Sequence, residues 1–477
     1  MSIPLPTVKP DPTPGFQRAL GVFHRAARQV PAYADFLAAH GVYPADIHTL
    51  ADFANVPAMT KENYLHKYPL DALVWRGDIT RAGTWSTSSG STGRPTYWPR
   101  DIASLDESTE LYARIFQQCF VSQRRSTLLV IGFAMGNWIG GTYTYTGALM
   151  LRRRGHRLSV IAPGIDAEAI LDNIATLGPH YDQVVLAGYP PFIKDVLDRA
   201  PEEVLGQDLR ILLAGEAISE NWRDWVLRRI GKSGDPTATC LIYGTADGGI
   251  MGHETATTIA VRRLAARQRL LGGELFGADE IQPTLVEYDT DYRFAELDAE
   301  QRFLFTVDTA IPLVRYRIND QGALFSATEL ADLVGDNEIP ITTSTESCKF
   351  LALHRRTDIA ASFYALKIYP DSVRMALEHP DIAPTVTGKF VLATSTGRQF
   401  EQTLTLRVEL RAGTHPIEGF EVRLRRAVVD ALERTNTEYR RLHRGLGAAA
   451  EPEINLRPFA SAGFEADIKH RWTERAA

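Results

Sequence analysis

The chain has 477 residues, 44 % of them hydrophobic and 23 % charged, with a formal net charge of −6. These values describe an ordinary globular chain of roughly two or three domains and give no support to a nucleic-acid or anionic-membrane role. No apolar run reaches the roughly 18 residues needed to span a bilayer, and the proline-rich first 15 residues have no apolar core of a secretory signal. Cys119, Cys240 and Cys348 lie far apart in sequence, without metal-ligand spacing, and read as buried thiols of a cytoplasmic protein.

Residues 1–15, with Pro4, Pro6, Pro10, Pro12 and Pro14, read as extended or disordered. Phe16 to Ala39 has helical periodicity that Pro31 breaks. Thr60 is placed to cap the charged segment that follows. Between two extended stretches comes Thr87-Ser88-Ser89-Gly90-Ser91-Thr92-Gly93-Arg94-Pro95, with five hydroxyls, two glycines and a guanidinium. Such a turn can offer successive N–H and O–H groups to phosphate, although a plain Ser/Gly turn uses the same letters. It lacks the spacing of a Walker-type P-loop. Asp106 to Cys119 reads as a helix, and Thr127–Phe133 as a buried strand running into a glycine- and aromatic-rich loop, Met135 to Gly141. Strand and helix then alternate: 157–162 and 167–177, 184–187 and 192–199, 209–214 and 220–230, and a strand at 238–243. That alternation implies βαβ units and a largely parallel sheet, with ligands at the carboxyl ends of its strands.

After about Gly272 short strands dominate, at 282–288, 302–308 and 314–318. Residues 349–358 are basic without strong periodicity and read as a domain boundary. Beyond them a small α+β unit is expected, with helices at 370–378 and 417–433 and strands at 389–393 and 402–410. The fold class is α/β: a large N-terminal domain (1–355) with parallel-rich sheets flanked by helices and a β-rich subdomain at about 272–350, then a small mobile α+β domain (356–477).

Four further motifs follow the hydroxyl- and glycine-rich loop in order: Ala214-Gly215-Glu216, Tyr243-Gly244-Thr245-Ala246-Asp247, Val314 to Asp320, and Arg356-Thr357-Asp358 with Ile368-Tyr369-Pro370. In this order and spacing the set resembles the adenylate-forming superfamily of acyl-CoA synthetases, adenylation domains and luciferases. Residues 30–69 resemble the opening segment of its phenylacetate–CoA ligase branch. The resemblance implies an AMP-forming ligase that activates a carboxylic acid with ATP and Mg²⁺ and passes the acyl group to a thiol, CoA. On this resemblance Ser88, Ser89, Gly90, Ser91, Thr92 and Gly93 cradle the ATP phosphates, with Arg94 where the family has lysine. Gly215 and Glu216 line the adenine and Tyr243 stacks on it, beside Gly244; Asp320 and Arg356 take the ribose. Asp247 holds Mg²⁺, Asp358 is the hinge, and Lys469 is the adenylation lysine, with Lys349 and Lys367 as lesser candidates. Asn137, Trp138, Gly140, Gly141, Tyr189 and Thr245 form the acid pocket, whose aromatic and glycine walls suit an aryl or arylacetic acid.

Three positions depart from the family pattern. Arg94 replaces lysine, Ala246 replaces a hydroxyl residue, and Tyr364-Ala365 stand where an Arg-Gly pair lets the pantetheine pass. The acceptor therefore stays open between CoA, a carrier protein and an amine, and the activated group between a carboxylate and another oxyanion such as nitrite. A non-catalytic nucleotide-binding homologue is the reading from another class. His253 and Glu254 have no matching ligand pair and read as structural. The partners expected are a small acid and an acyl acceptor, with no nucleic acid and no membrane; a homodimer is left open.

Overall fold

The computed structural model describes residues 13–87, 96–277, 284–335, 337, 339–356, 361–364, 366–396, 402–464 and 472–474. No helix among the described residues is long and apolar enough to cross a membrane.

Thr13 caps the first helix, Pro14–Gln29, and the proline at its first position has no N–H to lose there. Pro31 ends that helical run and opens the next helix, Pro31–Ala39. Both bury aromatic faces: Phe23, Tyr33 and Phe36 pack in one core with Phe53, Phe303, Phe305 and Val314. Thr60 caps the turn Lys61–Leu65 reciprocally with Asn63; Asn63 N–H donates to Thr60 Oγ1 at 3.0 Å and Thr60 N–H to Asn63 Oδ1 at 2.7 Å.

One eleven-stranded sheet organises the large part of the chain. Its order is Phe294–Leu297, Arg302–Val307, Leu313–Phe325, Cys348–Arg356, Thr284–Asp289, Gly249–His253, Thr239–Thr245, Leu209–Ala214, Gln183–Gly188, Thr127–Ile131 and Leu158–Ile161. The last five pair in parallel. Their apolar runs follow from burial on both faces: Leu128 and Val130 face one core with Ile170 and Ile193, while Leu129 and Ile131 face another with Ile115 and Leu151. The remaining pairings are antiparallel, and the two halves meet through the pair His253 and Glu287.

Two stretches differ from the sequence expectation. Of residues 349–358, read as aperiodic, 349–356 belong to a strand, Cys348–Arg356, paired on both sides within the sheet. Phe350, Leu351 and Ala352 are all buried, so a period-two alternation is absent there. Gly140 and Gly141, read as loop, lie in the first turn of a helix, Ile139–Arg153. Its glycines and β-branched residues hide the helical pattern. Gly141 is required by packing, because a Cβ there would sit 2.4 Å from the Ala134 carbonyl oxygen.

The C-terminal part has its own sheet, ordered Glu453–Arg457, Gln402–Leu410, Val386–Thr396 and Thr473–Glu474. Helices Pro370–Leu377 and Phe420–Thr435 share its core with Phe390, Leu392, Leu406 and Trp472. A further helix, Thr437–Leu446, follows an Asn436 cap that the sequence reading did not use.

Candidate active site

The carboxyl ends of the parallel strands carry the segments that the motifs single out. Gln183–Gly188 runs into Tyr189, Leu209–Ala214 into Gly215 and Glu216, and Thr239–Thr245 into the turn bearing Asp247. Residues 88–94 and Pro95 lie outside the described residues, but the strands that lead into and out of them, Thr84–Thr87 and Tyr97–Arg100, pair antiparallel. Thr87 N–H donates to the Asn137 carbonyl at 2.8 Å, and Thr87 bridges Trp138. The root of the hydroxyl-rich loop therefore sits against the Asn137–Trp138 segment.

Two motif residues 77 positions apart meet directly. Tyr243 Oη donates to Asp320 Oδ2 at 2.7 Å. Asp320 also stands opposite Arg356 in strand register. The Tyr243 ring, the Asp320 carboxylate and the Arg356 backbone are thus gathered at the junction of the two halves of the sheet.

Asp247 is buried and reached from three elements. Tyr316 Oη donates to its Oδ2 at 2.6 Å, and Lys61 Nζ lies 3.7 Å from the same oxygen. Arg100 donates to the Asp247 carbonyl at 3.3 Å and to the Ala246 carbonyl. Burial, then the Asp247 charge, push the Tyr316 phenol well up, so it stays a donor. Thr245 Oγ1 accepts from Gly248 N–H at 2.9 Å and fixes the turn. A single carboxylate, its coordination completed by waters and phosphate oxygens, is a donor set of the kind that fits Mg²⁺. Among the described residues no group of three His, Cys, Asp or Glu could hold a metal by itself.

Tyr189 lies between Gly140 of the expected acid pocket and Gly215 of the expected adenine segment. A Cβ on Gly215 would meet its ring at 2.7 Å, and one on Gly140 its hydroxyl at 3.2 Å; the edge of Phe133 packs on it at 5.1 Å. Burial, then the Glu216 charge, push the Tyr189 phenol up to about 12. Glu216 itself is held from the C-terminal part: Arg374 Nη2 donates to its Oε2 at 2.8 Å and Trp472 Nε1 to its Oε1 at 3.2 Å. Asp358 and Lys469 lie outside the described residues, and Gly244 packs against the Gly249 carbonyl.

His253 and Glu254 belong to the core. Glu254 accepts from Arg223 at 2.6 Å, from Arg262, and from Leu241 N–H at 3.0 Å. Burial, helped by Arg114, pulls His253 down to about 4, and its Nε2 lies 3.1 Å from Gln118 Oε1. Lys61, Arg100 and Tyr316 were not assigned roles from sequence. Their partner Asp247 is 69 or more residues away in the cases of Tyr316 and Arg100, so no local pattern could mark them. Only the Thr60 cap pointed near Lys61.

The architecture is a sheet covered on both faces by helices, with a small C-terminal α+β unit that has its own sheet. No family model matches the chain. Among individual proteins, a phenylacetate–coenzyme A ligase of Aromatoleum evansii is 23 % identical over 399 residues, covering 82 % of this chain and 80 % of that one. A structure of 2-hydroxyisobutyryl-CoA ligase in the postadenylation state, in complex with R3-HIB-AMP, superposes with a TM-score of 0.67 at 14 % identity, covering 97 % of this chain and 88 % of the other. A second structure of that ligase in the same state, with 2-HIB-AMP, gives 0.63 at 17 % identity and the same coverage. The chain is thus similar in sequence to a phenylacetate–coenzyme A ligase and in fold to 2-hydroxyisobutyryl-CoA ligase, in the direction that the motif set indicates.

Proposed function

We propose that the chain is an AMP-forming acid–thiol ligase. A carboxylate oxygen of the acid attacks the α-phosphorus of ATP, the bond to the bridging oxygen breaks, and pyrophosphate leaves. The thiol of CoA then attacks the acyl carbon of the adenylate, and AMP departs. The observation that carries this reading is the pair of hydrogen bonds Tyr243–Asp320 and Tyr316–Asp247, since together they join the Tyr243–Asp247 motif to the Val314–Asp320 motif.

In this reading Asp320 accepts the ribose hydroxyls with Arg356 nearby, and the Tyr243 ring faces the adenine. Ser88, Ser89, Gly90, Ser91, Thr92, Gly93 and Arg94 surround the pyrophosphate half, and Lys61 adds a cation on that side. Asp247 would hold Mg²⁺, which supplies charge neutralisation on the phosphates. Lys469 supplies the positive group for the pentavalent transition state. Trp472, three residues further on, is tethered to Glu216, which supports that placement. Residues 1–355 and 356–477 are the two domains and Asp358 their hinge. The separate core of the C-terminal sheet supports that division. Tyr189, Gly140, Gly141, Asn137, Trp138 and Thr245 border the acid, and their flat aromatic walls favour an aryl or arylacetic acid.

ATP–pyrophosphate exchange over a panel of aryl, arylacetic and short hydroxy acids tests the first half. Exchange with one class is expected, and absence of exchange with every acid overturns it. Thioester formation with CoA tests the second half, with amines offered in parallel because Ala365 departs from the family pattern. AMP release that needs nitrite and an arylamine instead would move the chain to oxyanion activation.

A further inference from the structure

We infer that Arg374 and Trp472 are positioning residues that clasp Glu216 and hold the C-terminal part in place for the first half-reaction, so that Glu216 serves as a docking anchor and not as an adenine contact. The inference rests on the proposed two-step ligase reading and adds to it the device that fixes the first arrangement.

Two arms of the C-terminal part converge on one carboxylate of the large sheet. Arg374 comes from helix Pro370–Leu377 and takes one oxygen at 2.8 Å. Trp472 comes from the chain end, where its carbonyl accepts from Leu392 N–H at 2.8 Å and its ring packs on Phe390 at 4.8 Å. Its indole N–H takes the other oxygen at 3.2 Å. The two arms also brace each other, because the Arg374 guanidinium lies 4.1 Å over the Trp472 ring. The side chains of Glu216 and Arg374 are 7 % and 14 % exposed. A pair so enclosed is unlike a screened surface ion pair, and separating it leaves a charge needing new solvation.

The clasp acts on the wall of the candidate pocket. Glu216 follows Gly215, whose backbone lies against the Tyr189 ring. The position of the C-terminal part is therefore read at the same turn that shapes the acid site. Three residues before Trp472 the sequence carries Lys469, the candidate adenylation lysine, which lies outside the described residues. In the proposed two-step reading the C-terminal part turns about the expected hinge Asp358 before thiol transfer, and both hydrogen bonds to Glu216 then break.

Trp472→Phe keeps the ring and removes the N–H; Arg374→Ala removes the other arm. Each should slow pyrophosphate exchange roughly tenfold, as expected for one lost hydrogen bond to a carboxylate. Transfer to CoA from chemically prepared acyl-adenylate should be unchanged or faster. Equal loss in both halves, or no loss in exchange, overturns the inference. A second measurement is independent of turnover: spin labels on exposed positions, Arg228→Cys and Glu421→Cys, report the distance between the two parts by pulsed electron paramagnetic resonance. The unmodified clasp should give a narrow distribution and either variant a broader or displaced one; superimposable distributions overturn the inference. If the parent protein exchanges with no acid, the ligase reading fails while the distance measurement still decides the clasp.

Discussion

Asp247 shows how a single carboxylate is prepared by residues remote in sequence. Tyr316 donates to one of its oxygens, Lys61 approaches that same oxygen, and Arg100 holds the backbone on either side of it. Removing the carboxylate as Asp247→Asn should lower pyrophosphate exchange by about 10²–10³, the scale of losing a preorganised electrostatic contact in a reacting site. Lys61→Ala leaves the carboxylate in place and removes a half-exposed cation, so a smaller loss of about tenfold is expected, expressed mainly as a raised KM for ATP. Steady-state exchange kinetics over a range of ATP separate the two effects. A Lys61→Ala enzyme with parental KM would remove Lys61 from the phosphate side. Arg94 is expected on the same side from the motif, and its fork can meet phosphate oxygens in pairs.

At the scale of elements, the site depends on tight turns at strand ends. Gly215 has φ of +90° and its missing Cβ faces the Tyr189 ring at 2.7 Å. Gly215→Ala would combine a left-handed backbone penalty with a clash, and a loss of about 1–3 kcal/mol is expected, read as a lowered thermal midpoint. Arg100 is 2 % exposed and satisfies the carbonyls of Ala246 and Asp247. Arg100→Met should cost about 2–4 kcal/mol, because buried carbonyls lose a charged donor. Its thermal midpoint should fall below that of the parent, and a parental midpoint would show that other donors replace the guanidinium. Elements of this kind also mark the limit of sequence reading. The strand at 127–133 and the alternation of strands and helices from 157 to 245 were legible because each parallel strand is a short apolar run between turn residues. Helix Ile139–Arg153 was not legible, since its glycines serve close packing, and strand Cys348–Arg356 was not, since Lys349, His354, Arg355 and Arg356 flank its short apolar run and broke the pattern.

For the whole molecule, several polar pairs join the C-terminal part to the large N-terminal part. Besides the Glu216 clasp, Ser219 Oγ donates to Glu378 at 2.5 Å, Arg411 meets Asp198 at 2.8 Å, and Lys389 meets Asp195. Burial pushes Glu378 up to about 6 from an ordinary value near 4.5, against the opposing pull of Ser219 and Arg374. An acid raised on folding favours its protonated form in the folded state. Its contribution is full below about pH 4.5 and is lost as pH rises through 6. Between pH 5 and pH 7 the folded chain should therefore lose about 1 kcal/mol from this group. Glu378→Gln, neutral throughout, should flatten that part of the thermal midpoint against pH; an unchanged slope would assign the dependence to other groups.

The sequence by itself determined the class of fold, the parallel half of the sheet and the order of the motif segments. Hydrophobic periodicity and turn chemistry are local properties, and a motif keeps its letters wherever the chain carries it. Tertiary structure alone decided which side chains meet: Tyr243 with Asp320, Tyr316 and Lys61 with Asp247, Arg374 and Trp472 with Glu216. Each of these contacts joins residues far apart along the chain. Their pairing depends on strand order, on register and on how the C-terminal part docks, none of which a local pattern encodes.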